Sequence, residues 1–236
     1  LRSVGQRSIN NIVDISNFVL MEMGHPTHIF DYDKLDNKEI YVRRANEDES
    51  LITLDEQKHK LKDNHLLITD GDKPIALAGI MGGLSTAVSE GTKILLVESA
   101  YFNPVTIRKG AKDLSMSTDA SKRYERGADP NGCDAAFWRV VSLIEDLTGG
   151  ELVSDAIDVY VEKINNQKIA MRKEKLELVL GITIENEIIS FSINFFICFV
   201  NPVRSNSSLS KIMHKGSSNL NFNFLIFWAN DGCMQG

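Results

Sequence analysis

Ile9, Ile12, Val13, Val19, Leu20 and Met23 recur at a spacing near 3.6. They predict an amphipathic helix over 8–23, closed by Gly24 as its C-terminal cap. In "HPTHIFDYDKL", residues 25–35, Pro26 blocks continuation, so a turn and a short extended piece are expected. From 39 onward the period shortens. "EIYVRRA", "SLITLD", "HLLITDG", "PIALAGIMGG" and "KILLVESAYF" are short and β-rich, and Asp, Asn, Gly and Lys turns separate them. Several are apolar on both faces, as in a sheet covered on both sides.

Asn103-Pro104 then supplies an N-cap and a first-turn proline for a helix reaching about 114. A second helix is expected over 119–126, ended by Gly127. A third, over 134–147, places Ala135, Phe137, Val140, Val141, Ile144 and Leu147 inside and stops at Gly149-Gly150. "ELVSDAIDVYV" is expected as a closing strand. The pattern therefore predicts one compact α+β unit over 1–162, with a mixed sheet core covered by helices. A linker over 163–168, "KINNQK", leads into "IAMRKEKLELVLGITIENEII", which opens a new helical element, incomplete, over 169–192. Beyond about Phe191 no period of 2 or 3.6 persists. From Ile193 on, Arg204, Lys211, Lys215 and Asp231 are the only strongly charged groups. Exposed aromatic clusters of this kind are a liability on a folded surface. The expectation for 193–236 is a frameshifted or read-through stretch, poorly ordered; the alternative is a genuine divergent tail. The opening leucine fits a piece of something longer.

Composition narrows the setting. At 236 residues, 43% hydrophobic and 25% charged, the chain is of ordinary globular type. The apolar run over 188–200 is interrupted by Ser190, Ser192 and Asn194 and falls short of the roughly 20 residues of a membrane span. No secretory signal opens the chain. Cys133, Cys198 and Cys233 have no metal-ligand spacing, which fits a reducing, cytoplasmic setting without structural zinc. The formal charge of −6 argues against gripping nucleic acid over the whole surface. Contact with RNA would need a local patch, for which Arg108, Lys109, Lys112, Lys122, Arg123 and Arg126 are the candidates. The bland reading of that run is a solvated helix face.

No nucleophile elbow, Walker loop or zinc pattern is present. "GIMGG", residues 79–83, is either a tight turn or a place where backbone approaches a ligand. His28 is either structural or catalytic. Glu98 stands out, because it lies in the apolar strand "KILLVESAYF". Burying a carboxylate costs on the order of 3 kcal/mol or more unless something binds it. Its partner is a cation, with Arg7, Arg108 or Arg123 in view, or a ligand hydroxyl. Twenty residues on lies a cluster of small polar residues, Ser117 to Ser121.

"RSINNIVDISNFVLMEMGHPTHIFDYDKL", "ALAGIMGG", "LLVESAYFNPVTIRKGAKDL" and "STDASKRYERGADP" resemble the editing domain of the beta subunit of bacterial phenylalanyl-tRNA synthetase. The resemblance runs from about Arg7 to Val161 with the motifs in order. "IAMRKEKLELVLGITIENEII" resembles the start of that subunit's next, winged-helix-like domain. The resemblance implies hydrolysis of the ester joining tyrosine to the terminal ribose of tRNA(Phe). It implies that Glu98 receives the tyrosine hydroxyl and that Thr118 and Ala120 shape the pocket wall. His28 would lie near the ester and the attacking water, Arg7 near the pocket, and Gly79 and Gly82 where backbone lines it. His28 would act as a base or only orient water. Arg108, Lys109 and Lys122 are the candidate contacts to the acceptor end of tRNA(Phe). The parent enzyme would use ATP and Mg and pair with an alpha subunit in a heterotetramer. No cofactor is expected in this fragment, which should not ligate by itself. A rival reading is a non-catalytic tRNA-docking or assembly scaffold.

Overall fold

The structure, a computed structural model, describes residues 1–160, 164, 172–189 and the strand at 221–228. Two units are present, one of 1–164 with 216–236 and one of 165–215.

In the first unit, α1 (Asn11–Met23) begins later than the periodicity predicts. Asn10, not Ser8, is the cap: its side chain accepts from the Val13 N–H at 2.8 Å. Asp14 draws the preceding residues out of the helix, accepting from the Ser8 hydroxyl and, at 2.9 Å, from the Ile9 N–H. Ile9 is consequently exposed, not core. Ile12, Ile15, Val19 and Leu20 form the buried stripe, and Gly24 closes the helix at φ 71°.

β1 (Thr27–Asp31) pairs antiparallel with β8 (Ile94–Tyr101). Their alternation splits the core in two. Ile29, Leu95 and Val97 face α1 and α4 (Cys133–Thr148), against Ile12, Val19, Phe137 and Val140. Phe30, Leu96 and Ala100 face the other way, toward a four-stranded sheet of order β2-β5-β6-β7. Those strands are β2 (Ile40–Arg44), β5 (Leu66–Asp70), β6 (Lys73–Leu77) and β7 (Met81–Gly82). β5 is buried along its whole length, as a strand covered on both faces must be. A small hairpin, β3 (Ser50–Ile52) with β4 (Lys58–Lys60), flanks it.

"PIALAGIMGG" is not one strand. Gly79, at φ 66°, lets the chain reverse between β6 and β7. α2 (Pro104–Asp113) starts as expected, with Asn103 accepting from the N–H groups of Val105 and Thr106. α3 (Asp119–Tyr124) is opened by a capping box in which Thr118 and Ser121 satisfy each other's N–H groups. Leu147, expected inside α4, is exposed; the buried stripe ends at Ile144.

"ELVSDAIDVYV" forms two short strands, β9 (Glu151–Leu152) and β10 (Asp158–Val159). Both pair parallel with β11 (Asn221–Trp228), which pairs parallel with β8. The aromatic run of β11 lies in the stretch where no sustained period was evident. Apart from β11 the tail over 193–236 lies outside the described residues, as does the linker at 163–168 except Ile164. In the second unit, α5 (Lys173–Leu180) is capped by Gly181 at φ 70°.

Candidate active site

In the β1–β8 ladder His28 stands directly opposite Glu98. Cross-strand partners share a face of the sheet, and this one looks toward the four-stranded sheet. Between the two sheets opens a small cleft, lined by both residues together with Gly79, Gly82, Ala120 and Tyr124. Its remaining wall is largely apolar, including Ile68, Leu77 and Ile80.

Glu98 is only 6% exposed. Among the described residues no hydrogen bond or ion pair reaches its carboxyl group, and Arg7, Arg108 and Arg123 are all exposed elsewhere. Burial therefore acts unopposed and pushes the Glu98 carboxyl up to about 8. Burial also pushes His28 down to about 4. At neutral pH the pair is a carboxylic acid facing a neutral imidazole. The acid can donate and accept at once.

The His28 ring lies against Phe30, centroids 4.5 Å apart and nearly perpendicular. On its other side it lies on the Gly82 backbone. A Cβ there would land on the imidazole Cε1 and Nε2 atoms. Leu54, whose N–H donates to the Gly82 carbonyl at 3.0 Å, fixes that stretch of backbone. Gly79 answers a second close approach, because a Cβ there would meet Phe102, Ile107 and Tyr124.

Five of the residues named from the sequence thus meet in one cleft: His28, Glu98, Gly79, Gly82 and Ala120. Thr118 stands outside that lining. Its hydroxyl donates to the Ile80 carbonyl at 2.8 Å, tying the start of α3 to the β6–β7 turn and so placing Ala120. Arg7 is exposed on the segment before α1, and Arg108, Lys109 and Lys122 are exposed on α2 and α3. Sequence reasoning missed Tyr124, a buried wall of the cleft whose hydroxyl lies 2.9 Å from the Ala100 carbonyl and 3.1 Å from that of Pro26. Its spacing of four from Ala120 was the available signal, since i and i+4 share a helix face. Among the described residues no group of three or more His, Cys, Asp or Glu side chains is placed to hold a metal.

The buried titrating groups set a pH profile for stability. Glu98 is raised from 4.5 to about 8, so its contribution is full below pH 4.5 and is lost as pH rises through 8. At about 1.4 kcal/mol per pH unit this limb is worth roughly 5 kcal/mol. His28 and the buried His25 are both lowered from 6.5 to about 4, so their contribution is full above 6.5 and is lost as pH falls toward 4. Thermal melts across pH 4–9 should therefore peak close to 6.5. A melting temperature that climbs steadily to pH 9 would contradict the burial of an unpartnered Glu98.

Residues 1–149 match the family model described as the B3/4 domain. Over 185 residues the chain is 45% identical to a "Phenylalanine--tRNA ligase beta subunit" of Thermotoga maritima, covering 78% of this chain and 24% of that protein. It is 46% identical over 180 residues to the protein of that name in Protochlamydia amoebophila, covering 76% and 22%. For the one in Bacillus subtilis the identity is 44% over 187 residues, covering 79% and 23%. The chain spans about a quarter of the length of these curated relatives.

Proposed function

The chain belongs to the B3/4 domain family, and we propose that it is the editing module of a phenylalanine–tRNA ligase beta subunit, hydrolysing mischarged Tyr-tRNA(Phe). The observation that carries this reading is the unpartnered Glu98 carboxyl inside a largely apolar cleft, opposite His28. Tyrosine differs from phenylalanine by one hydroxyl, which a mainly apolar synthetic pocket rejects by only about a hundredfold. A second site that prefers the hydroxyl corrects the error. A tyrosine ring in the cleft gives Glu98 the hydrogen bond it lacks, whereas a phenylalanine ring seals the carboxyl away from water with nothing in return. That difference is worth about 1–3 kcal/mol.

His28, neutral at working pH, accepts a hydrogen bond from the attacking water and orients it toward the ester carbonyl. With its pKa near 4 it orients water better than it holds a proton. Ala120 and the backbone at Gly79 and Gly82 leave room for the aminoacyl group, Thr118 holds α3 in place, and Arg7 approaches the bound substrate from outside the cleft. Arg108, Lys109 and Lys122 meet tRNA phosphates. In its parent enzyme the module works in the cytoplasm beside an alpha subunit, in an assembly that uses ATP and Mg to attach phenylalanine to tRNA(Phe).

The test is parallel incubation of the chain with Tyr-tRNA(Phe) and Phe-tRNA(Phe). Faster hydrolysis of the tyrosyl ester, by roughly tenfold to a hundredfold, is expected from the hydrogen-bond difference. Equal rates on the two, or none on either, would leave the fold as a docking scaffold.

A further inference from the structure

We propose, resting on the reading above, that the cleft also hydrolyses esters of aromatic amino acids whose ring ends in a hydrogen-bond acceptor instead of a hydroxyl, with the Glu98 carboxyl as the donor. For tyrosine, Glu98 is needed only as an acceptor. Its surroundings leave it a proton to give as well. Of the residues lining the cleft, His28, Tyr124 and Glu98 itself are the ones that titrate. His28 stands opposite on β1, and burial keeps it neutral at working pH. Tyr124, on α3, has a single hydroxyl proton, and the carbonyls of Ala100 and Pro26 lie 2.9 and 3.1 Å away to accept it. Burial pushes that phenol well above its ordinary range, so it stays protonated. His25, whose ring meets Tyr124 edge-on, is also held neutral by burial. The facing wall of Ile68, Leu77 and Ile80 carries no charge. On the other edge of β8 the register sets Leu225 of β11 beside Glu98. Among the described residues no cation faces the carboxyl and no acceptor takes its proton. A buried carboxyl so placed sheds its charge by keeping the proton.

A protonated carboxyl has two faces to offer, a carbonyl oxygen that accepts and an O–H that donates. A phenol satisfies the first. A ring nitrogen, as in 4-pyridylalanine, satisfies the second. That nitrogen lies one bond short of the phenol oxygen, so the ring seats that much deeper, along an apolar wall where no hydrogen bond has to break. Such a ring is isosteric with phenylalanine, and an apolar pocket rejects an isostere poorly. The chemistry at the ester is unchanged. The water oxygen bonds to the carbonyl carbon, the bond to the ribose oxygen breaks, and one water proton ends on that oxygen.

The two kinds of substrate part company with pH. A tyrosyl ring gains when Glu98 ionises, because a carboxylate is the stronger acceptor. An acceptor ring loses, because the proton it needs is gone and a negative charge faces its lone pair. The crossover lies where the Glu98 carboxyl titrates, about 8.

The experiment compares the tyrosyl, phenylalanyl and 4-pyridylalanyl esters of tRNA(Phe) on the full chain at pH 7 and pH 9. Each rate is measured below saturation and corrected for spontaneous hydrolysis of the same ester. At pH 7 the pyridyl ester should be hydrolysed roughly tenfold to a hundredfold faster than the phenylalanyl ester. At pH 9 that preference should be about tenfold lower, one pH unit past the titration, while the tyrosyl preference does not fall. Glu98→Gln, whose amide N–H donates at either pH, should keep a pyridyl preference that no longer changes between pH 7 and pH 9. Glu98→Ala should abolish it. A pyridyl ester no faster than the phenylalanyl one at pH 7, beside a fast tyrosyl ester, overturns the donor role and leaves the proposed function standing. A pyridyl preference undiminished at pH 9, or surviving Glu98→Ala, overturns it too. A fast pyridyl ester beside a slow tyrosyl one would keep the donor role and overturn the proposed function.

Discussion

Gly82→Ala should cut ester hydrolysis by roughly a hundredfold while leaving the fold almost unchanged. Gly82 does not hold a left-handed backbone conformation, so alanine brings no conformational strain. What it brings is a methyl group in the space of the His28 imidazole. The ring must leave its place opposite Glu98, and a displacement of about 1 Å is enough for a loss of that size. Gly79→Ala is the contrasting case. There φ is 66°, and the added carbon meets Phe102, Ile107 and Tyr124, all buried. Backbone strain of about 1–2 kcal/mol adds to overpacking of about 1–3 kcal/mol, so this variant should melt much earlier. Pairing each glycine change with His28→Ala separates the two mechanisms. If Gly82 acts through the ring, adding Gly82→Ala to His28→Ala should cost nothing further in hydrolysis. Additive losses would mean that Gly82 serves the substrate directly or supports the turn.

The helices were legible because their signals are local. Asn103-Pro104 starts α2 where the sequence puts it, since cap and proline act within one turn. α1 shows the limit of such signals. Ser8 and Asn10 are both competent caps, and the choice fell to Asp14, whose carboxylate claims Ser8 and the Ile9 N–H. In "PIALAGIMGG" an unbroken apolar run hid a hairpin, because periodicity does not register a single positive φ at Gly79. Least legible was the pairing that makes the site. Glu98 could be singled out as an expensive carboxylate in an apolar strand. That His28 is its partner across the ladder is a register between segments seventy residues apart, and nothing local encodes it. For Tyr124 the four-residue spacing from Ala120 was a local signal, but its contacts to the Pro26 and Ala100 carbonyls are long-range and had none.

Glu98 itself decides between recognition and architecture. Had it anchored a buried arginine, removing it would strand a cation and lower stability by about 3–5 kcal/mol. The carboxyl has no such partner among the described residues, so the opposite is expected. Glu98→Gln should raise the melting temperature at pH 8–9, where the unaltered chain must bury a charge. It should change little at pH 4.5, where the folded form is protonated and the unfolded form only half ionised. The same substitution should narrow the preference for the tyrosyl ester without erasing it at neutral pH, because an amide carbonyl still accepts from the phenol. Above pH 8 the unaltered chain should discriminate better than at pH 7, since a carboxylate is the stronger acceptor. Glu98→Gln should show no such gain, and Glu98→Ala, with no acceptor left, should discriminate worst of all. Melts at pH 4.5 and pH 9, with paired deacylation rates at pH 7 and pH 9, on the same two variants read every one of these outcomes. Marked destabilisation with an unchanged ratio of tyrosyl to phenylalanyl hydrolysis would remove Glu98 from recognition and leave it a structural group.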